Sequence, residues 1–374
     1  MKVFVFPGQG SQLRGMGGTL FDDFPDLTRQ ASEILGYSIK ELCLEDPRKE
    51  LNQTQFTQPA IYVVNALSYF RRMQTGGQAP AIFAGHSLGE FNALMAAGCF
   101  DFELGLRLVK VRGELMGRVS GSGMAAVMNI GQDRIAAIIG EEGAQGVDIA
   151  IHNSPTQSII AGLREDLERL ASPIERAGGM FYPLNTSGAF HSRYMRPIAE
   201  DFRGHLMNAI FSPLKKSVIA NVSARPYGDD EVVANLVNQL TRPVLWCESV
   251  QYLLAQGATD FEEIGDSDVL TKLIARIKAT PLAPPQGLPV ASDTTVQPRA
   301  ASAREDAHIP PRSPADKVAA WNQTYPIGTR VRSARTVEGE LETRTSALVL
   351  FGHRAAVYLK GYNGYFDLDE LQIV

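Results

Sequence analysis

Residues 81–95 read AIFAGHSLGEFNALM, in which two apolar runs flank a short turn of small and polar residues. The first run, 81–84, predicts a buried strand, and residues 90–95 predict a helix. Between them stands the only GxSxG pattern of the chain, with Ser87 at its centre. Such a strand-to-helix turn exposes a serine hydroxyl at a helix N-terminus, where the Leu88 N–H can face an oxyanion. The stretch therefore predicts a nucleophilic serine on an α/β fold; a glycine-rich turn without chemistry is the alternative.

The composition is that of a folded protein with no strong charge bias. The chain has 374 residues, a length that suggests two or three structural units. Hydrophobic residues make up 44% and charged residues 21%, and the net charge of -5 gives no overall attraction to nucleic acid or to an anionic membrane. Cys43, Cys99 and Cys247 suggest neither a disulfide framework nor a CxxC metal pair. The apolar run 3–6 ends at Pro7, so we expect a cytoplasmic protein with no export signal and no membrane span.

The order of elements predicts three parts of the chain. Residues 124–187 read strand, helix, strand, strand, helix, strand, which suggests a ferredoxin-like insert in a larger α/β subdomain made of residues 1–123 and 188–279. Residues 280–318 are rich in proline and alanine, and we expect a linker. Residues 319–374 predict a small β-rich module of unknown role. Its aromatic residues either build a core, which is our expectation, or form a binding face: Trp321, Tyr325, Tyr358, Tyr362, Tyr365 and Phe366.

A serine hydroxyl needs a nearby base, and histidine is the usual one. The chain has six histidines: His86, His152, His191, His205, His308 and His353. His308 and His353 fall in the linker and the last module, and His152 follows directly after the predicted strand 147–151. His191 lies in GAFHS, residues 188–192, just after the insert. We therefore expect His191 to be the base; a helix-capping histidine is the alternative.

Three motifs together carry a family resemblance. Residues 6–12 read FPGQGSQ, residues 85–90 read GHSLGE, and residues 188–192 read GAFHS. In this order the chain resembles the malonyl-CoA:acyl carrier protein transacylases over residues 1–279. Within that family, residues 185–192 and 221–227 are similar to the free-standing enzymes of trans-acyltransferase polyketide synthases. The resemblance implies an α/β-hydrolase-like large subdomain with an inserted ferredoxin-like subdomain and a cleft between them.

The resemblance also implies the catalytic roles. Ser87 and His191 form a dyad, in which a main-chain carbonyl of the segment starting at Gln239 orients the imidazole. A neutral carbonyl selects the tautomer whose other nitrogen can accept the serine proton. The main-chain N–H groups of Gln9 and Leu88 are the expected oxyanion donors.

The resemblance assigns the substrate contacts to a second set of residues. Arg112 lies on the predicted helix 102–116 without an acidic partner three or four residues away, so solvent exposure or a tertiary ion pair is the alternative to a ligand role. Its position, 25 residues after Ser87, matches the malonate-binding arginine of the family. A guanidinium can hold a carboxylate through two parallel hydrogen bonds. Phe190 is expected to exclude an α-methyl group, and Gln9, His86 and Asn153 to line the substrate site.

The expected activity is transfer of malonyl from malonyl-CoA to the phosphopantetheine thiol of an acyl carrier protein, through a malonyl-serine and with ping-pong kinetics. The expected partners are malonyl-CoA and holo acyl carrier protein domains of a polyketide synthase; no cofactor, metal or nucleic acid is expected, and the protein is expected to act as a monomer. Three alternatives stay open: an acyl hydrolase of the same fold, an ordinary esterase with an acidic residue between Ser87 and His191, and a catalytically silent docking protein.

Overall fold

The computed structural model describes residues 1–228, 230–280, 314–333, 340–350, 354–360 and 365–374. Contacts divide the chain into two units, Met1–Leu288 and Pro289–Val374. Most of the predicted linker, His308 and His353 lie outside the described residues. Among the described residues, no helix combines the length and hydropathy that crossing a membrane requires.

The first unit alternates strands and helices. Its strands are β1 (Lys2–Phe6), β2 (Ile82–Gly85), β3 (Ser122–Met128), β4 (Asp148–Ser154), β5 (Gln157–Leu163), β6 (Met180–Leu184), β7 (Ser217–Ala220), β8 (Arg225–Pro226) and β9 (Asp260–Glu263). Its helices are α1 (Leu20–Asp23), α2 (Pro25–Leu35), α3 (Ile39–Leu44), α4 (Thr54–Gln74), α5 (Gly89–Ala96), α6 (Phe102–Gly117), α7 (Gln132–Glu141), α8 (Arg164–Arg176), α9 (Arg196–Met207), α10 (Val232–Thr241), α11 (Trp246–Ala255) and α12 (Val269–Ala279), with a 3-10 turn at Arg193–Met195.

A five-stranded sheet in the order β8-β7-β2-β1-β9 forms the centre of this unit. The four neighbouring strands β7, β2, β1 and β9 run parallel to one another. The edge strand β8 pairs with β7 in the antiparallel direction. Side chains alternate between the two faces of a strand. Accordingly, Phe4 and Phe6 pack into one hydrophobic core, and Val3 and Val5 pack into another on the opposite face. A parallel sheet buried on both faces is an α/β fold, as expected from the sequence.

A second, antiparallel sheet has the strand order β4-β5-β3-β6 and carries α7 and α8. Its elements follow the chain order β3, α7, β4, β5, α8, β6. The strand predicted over residues 147–151 corresponds to β4, which continues to Ser154. His152 and Asn153 therefore lie inside a strand. The extension has a physical reason, because β4 pairs with β5 up to the turn between them, with His152 opposite Ser158 and Ser154 opposite Gln157. The His152 N–H also donates to Val244 O at 2.9 Å.

The second unit contains α13 (Pro314–Thr324) followed by β10 (Arg330–Ser333), β11 (Leu341–Glu342), β12 (Leu348–Leu350), β13 (Arg354–Tyr358), β14 (Tyr365–Asp367) and β15 (Leu371–Ile373), with a 3-10 turn at Leu368–Glu370. Two three-stranded antiparallel sheets, β11-β10-β15 and β12-β13-β14, enclose a core that includes Val357 and Phe366, against which Trp321 packs. Residues 314–318, which the sequence analysis assigned to the linker, begin α13. Pro314 is compatible with a helix start because the first N–H groups of a helix need no intrahelical acceptor.

Candidate active site

The turn between β2 and α5 places Ser87 at a helix N-terminus, as the GxSxG pattern predicts. Ser87 has a φ of 51°, in the left-handed region that a non-glycine residue rarely adopts. The glycines on either side leave no room for a side chain. A Cβ on Gly85 would lie 2.0 Å from the Gly89 carbonyl carbon, and one on Gly89 would lie 2.0 Å from Phe6 O. Close backbone packing therefore requires both glycines.

Asn221 holds the turn in place from the end of β7. Its Oδ1 accepts the Ser87 N–H at 2.7 Å, and its Nδ2 donates to Gly85 O at 2.6 Å. Both main-chain groups are thereby satisfied where the buried backbone leaves β2 and enters the turn. The sequence did not reveal this role, although Asn221 opens the segment 221–227 that carries part of the resemblance.

Ser87 and His191 form a hydrogen-bonded dyad. Ser87 Oγ lies 2.7 Å from His191 Nε2, and His191 Nδ1 lies 2.6 Å from the main-chain oxygen of Gln239. A carbonyl oxygen can only accept, so Nδ1 carries the proton and Nε2 is free to accept the serine proton. Burial, together with the nearby charge of Arg112, lowers the pKa of His191 to about 3. The imidazole is therefore neutral near pH 7 and can act as a base.

The partner of His191 also decides between two enzyme types. An ordinary esterase triad places an aspartate or glutamate on the second imidazole nitrogen. Here that position is taken by the Gln239 carbonyl, while the acidic Glu248 bonds to a different histidine, His152, at 2.7 Å. The arrangement is that of a dyad and not of a charged triad.

Arg112 extends from α6 to the nucleophile and is only 1% exposed. Its Nη2 donates to Ser87 Oγ at 3.2 Å and to Gln239 Oε1 at 2.8 Å, and its Nη1 donates to Gln58 Oε1 at 2.7 Å. Burial lowers the pKa of Arg112 to about 10, an effect partly offset by the Glu90 charge. Within the described residues no carboxylate forms an ion pair with Arg112, and its buried Nε has no hydrogen-bond acceptor.

An uncompensated buried guanidinium is costly unless an anion completes it. The open Nε beside Nη2 offers the two parallel donors that a carboxylate accepts. The site is therefore suited to a small anionic group bound next to a serine nucleophile. Solvent exposure of Arg112, one of the alternatives from sequence, does not occur.

Glu90, which the sequence did not single out, is a buried carboxyl group next to the dyad. It accepts hydrogen bonds from Tyr227 OH at 2.5 Å, from the Asn221 N–H at 3.2 Å, and from Gln239 Nε2. Burial raises the pKa of Glu90 to about 7, against the effect of these donors. In the sequence, Glu90 could have been noticed as the last residue of the GHSLGE motif. Gln58 could have been noticed as a polar residue among the apolar residues of helix α4.

The loop after β1 packs directly on the serine turn. A Cβ on Gly8 would lie 2.3 Å from His86 O and 3.4 Å from Leu88 N, so only glycine allows this approach. The loop therefore brings Gln9 beside the N-terminus of α5. The Gln9 side chain donates to Thr54 Oγ1 at 3.4 Å.

The side chains of His86 and Asn153, both expected to line the substrate site, form a hydrogen bond with each other. His86 Nε2 is 2.9 Å from Asn153 Oδ1, and the imidazole packs against Trp246 with ring centres 5.6 Å apart. Phe190 is buried in the hydrophobic core beside the site. Contact of these three side chains with an acyl group stays a prediction.

A groove of about 460 Å³ opens at His191 and is lined by α7, β4, residues 191–196 and residues 241–243. Two arginines of its lining lie close to His191 in sequence. Arg193 is paired with Asp148, its Nε donating at 3.0 Å, whereas Arg196 forms no ion pair with any described residue. Arg196 therefore gives the groove an unneutralised positive charge.

Comparisons with known proteins agree with this site. The family model described as Acyl transferase domain matches residues 3–280. "Polyketide biosynthesis malonyl CoA-acyl carrier protein transacylase PksC" of Bacillus subtilis (strain 168) is 51% identical over 280 residues, which cover 74% of this chain and 97% of that protein. "Polyketide biosynthesis protein PksE" of the same organism is 49% identical over 280 residues, but the match spans only 36% of its length.

Among solved structures, a malonyl CoA-acyl carrier protein transacylase from Burkholderia pseudomallei is similar to the first unit. Its TM-score is 0.74 at 49% identity, and the match covers 75% of this chain and 99% of that one. The residues matched by the family model include the serine turn and the His191 segment. The chain belongs to the acyl transferase domain family.

Proposed function

We propose that this protein transfers a malonyl group from malonyl-CoA to the phosphopantetheine thiol of an acyl carrier protein. One observation carries the choice of acyl group: a buried guanidinium without a carboxylate partner lies 3.2 Å from the nucleophilic oxygen. The names of its relatives, including PksC, support the same substrate.

In the first half-reaction, the free carboxylate of malonyl binds to Arg112 through Nε and Nη2, replacing the contact with Ser87 Oγ. His191 takes the Ser87 proton while Oγ attacks the thioester carbon. The N–H groups of Leu88 and Gln9 stabilise the oxyanion. The carbon–sulfur bond then breaks, the coenzyme A thiolate takes the proton from His191, and a malonyl-serine remains.

The second half-reaction runs the same steps with a new thiol. His191 takes the proton of the phosphopantetheine thiol, whose sulfur attacks the malonyl-serine. The oxyanion collapses, the bond to Ser87 Oγ breaks, and Oγ regains the proton from His191. One site thus serves both substrates in turn, which gives ping-pong kinetics.

Selection against acetyl follows from the same arginine. An acetyl group would leave the buried Arg112 without its anion, so binding would carry the cost of an unpaired charge. The bulk of Phe190 would exclude an α-methyl substituent. Malonyl is therefore the preferred acyl group.

The acyl carrier protein would approach the groove at His191. Arg196 and the ion-paired Arg193 line this groove and would attract the phosphate of the phosphopantetheine arm. The similarity to PksC supports a role in polyketide biosynthesis. We propose in addition that the protein is a separate, trans-acting enzyme that acts as a monomer. The architecture we propose is an α/β-hydrolase-like subdomain with the second sheet as a ferredoxin-like insert.

The test follows labelled malonyl from malonyl-CoA in the presence and absence of a holo acyl carrier protein. If the protein is a transferase, the label should appear on the carrier thiol, with little free malonate. Rapid release of free acid without carrier loading would instead establish a hydrolase. Neither product, from a correctly folded protein, would establish a silent docking protein.

A further inference from the structure

We propose that Glu90 is a positioning residue that sets acyl selectivity by fixing the side-chain amide of Gln239, which in turn orients Arg112. This inference rests on the proposed function. It concerns a buried carboxyl group that takes no part in the two half-reactions above.

Gln239 links three parts of the site through one side chain. Its Oε1 accepts from Arg112 Nη2 at 2.8 Å, and its Nε2 donates to Ser87 O at 2.9 Å and to Glu90. These two partners allow only one orientation of the Gln239 amide, because a guanidinium has only donors and a carbonyl oxygen only accepts. An ionised Glu90 adds a second acceptor on the Nε2 side.

Three segments hold Glu90 itself in place. Tyr227 OH and the Asn221 N–H both donate to Oε1, and Gln239 Nε2 donates to Oε2. All these partners offer a hydrogen to the carboxyl group, which favours its ionised form despite burial. Glu90 therefore cannot rotate without breaking contacts in two loops and α10.

The interposed amide lets Glu90 stabilise the buried cation without contacting it. The charges of Glu90 and Arg112 stabilise each other, yet the described residues show no direct ion pair between them. A carboxylate in direct contact would occupy the guanidinium edge that malonyl needs. With Gln239 between them, the Nε edge of Arg112 stays open for the substrate.

The substitution Glu90→Gln replaces an acceptor with a donor at one oxygen. The new NH2 group can face Gln239 Nε2, or it can face the Asn221 N–H while the new amide keeps its oxygen towards Gln239. Alternatively, the Gln239 amide turns over and presents its NH2 to Arg112. Each arrangement opposes two donors, and the last displaces Arg112. We expect the ratio of kcat/KM for malonyl-CoA over acetyl-CoA, measured as acyl-enzyme formation, to fall about tenfold.

A double-mutant cycle tests whether Glu90 acts through Gln239. The substitution Gln239→Met removes the amide but keeps the main-chain carbonyl on His191, and it should lower the same ratio by a similar factor. The double variant should then be no worse than either single variant. An unchanged ratio in folded Glu90→Gln, or effects that multiply in the double variant, would overturn the proposal. If Glu90→Gln does not fold, an unchanged malonyl-to-acetyl ratio in Gln239→Met would overturn the proposal instead.

The matched control is Tyr62→Phe, which removes a buried hydrogen bond, from Tyr62 OH to Phe102 O at 3.2 Å, that lies outside the Glu90–Gln239 contacts. Its ratio should stay within about a factor of two of that of the unmodified protein; a fall equal to that of Glu90→Gln would indicate a general loss of packing. A crystal structure of Glu90→Gln decides the geometry independently of malonyl chemistry. A Gln239 amide that keeps its contacts with Arg112 and Ser87 O would contradict the proposal even if the proposed function failed.

Discussion

Arg112 is the residue that most restricts which acyl group this site can bind. Buried arginines are normally paired with a carboxylate. This one is held by two glutamine oxygens and the serine hydroxyl, and its Nε has no acceptor among the described residues. The neutral surroundings fix the guanidinium plane while its charge remains available to a ligand.

The first residue-scale prediction concerns Arg112→Ala. Loss of two charge-assisted hydrogen bonds, each about 1.5 kcal/mol, should lower kcat/KM for malonyl-CoA about a hundredfold. Acetyl-CoA should lose far less, because it makes neither bond. The control is Arg107→Ala on the same helix, where the side chain is exposed and paired with Glu103. Equal losses for both acyl groups, measured by acyl-enzyme formation, would contradict the clamp.

A second prediction at this scale concerns pH and stability. Burial lowers the pKa of His191 to about 3 in the folded protein, against the ordinary value of 6.5 for histidine. The unfolded chain therefore binds a proton that the folded protein does not, so the free energy of unfolding falls as pH falls from about 6.5 towards 3, by up to ~1.4 kcal/mol per pH unit.

The variant His191→Gln lacks this titration, so its free energy of unfolding should fall less steeply over the same range. Glu90, with its raised pKa, contributes in the opposite direction and is present in both proteins, so the comparison isolates His191. Chemical denaturation at several pH values measures both slopes. Parallel slopes would show that His191 titrates normally in the folded state.

At the scale of elements, the turn between β2 and α5 joins the sheet to the catalytic serine. Its geometry depends on two glycines that meet neighbouring backbone, and on Asn221, which reaches across from β7. These contacts place Ser87 within 2.7 Å of an imidazole on a separate segment. The turn is therefore a point where packing and chemistry constrain the same residues.

The substitution Gly89→Ala tests that constraint. Its Cβ would lie 2.0 Å from Phe6 O, which forces the backbone apart and should lower the free energy of unfolding by about 3 kcal/mol. The control is Gly204→Ala in the exposed part of α9, where a Cβ meets nothing within 4 Å. That change should stabilise the protein by up to about 1 kcal/mol. Similar effects of both substitutions in urea denaturation would refute the close approach.

Much of this architecture could be predicted from short-range patterns. The apolar run 81–84, which ends at Gly85, predicted β2 to within about two residues, a usual margin for element ends. The extent of β4 could not be found in this way, because its polar residues 152–154 belong to the strand through pairing with β5 and not through an apolar pattern. For the same reason the dyad could be predicted through motif resemblance, whereas the contacts of Glu90 with Tyr227 and Gln239 depend on tertiary packing.

At the scale of the whole molecule, all site residues belong to the first unit. The family model ends at residue 280, and the second unit has its own core of aliphatic and aromatic residues around Val357. Separate cores are expected to fold separately. Trp321 and Phe366 contribute to that core, as the sequence suggested, and Tyr325 packs against Trp321 with ring centres 4.8 Å apart.

A chain that ends at Thr280 should therefore fold and form the malonyl-enzyme at a rate within about a factor of two of the full chain. Calorimetry of the full chain should show two transitions, one of which persists in the shortened protein. An unfolded or inactive shortened chain would show that the second unit is needed for the first.

The central claim is that Ser87 carries a malonyl group selected by Arg112. Intact-mass measurement after brief exposure to malonyl-CoA or acetyl-CoA, followed by peptide mapping, tests it most directly. The account predicts one malonyl group on the Ser87 peptide, none in Ser87→Ala, and a preference over acetyl that disappears in Arg112→Ala. A malonyl group on another residue, or a preference that survives in Arg112→Ala, would contradict it.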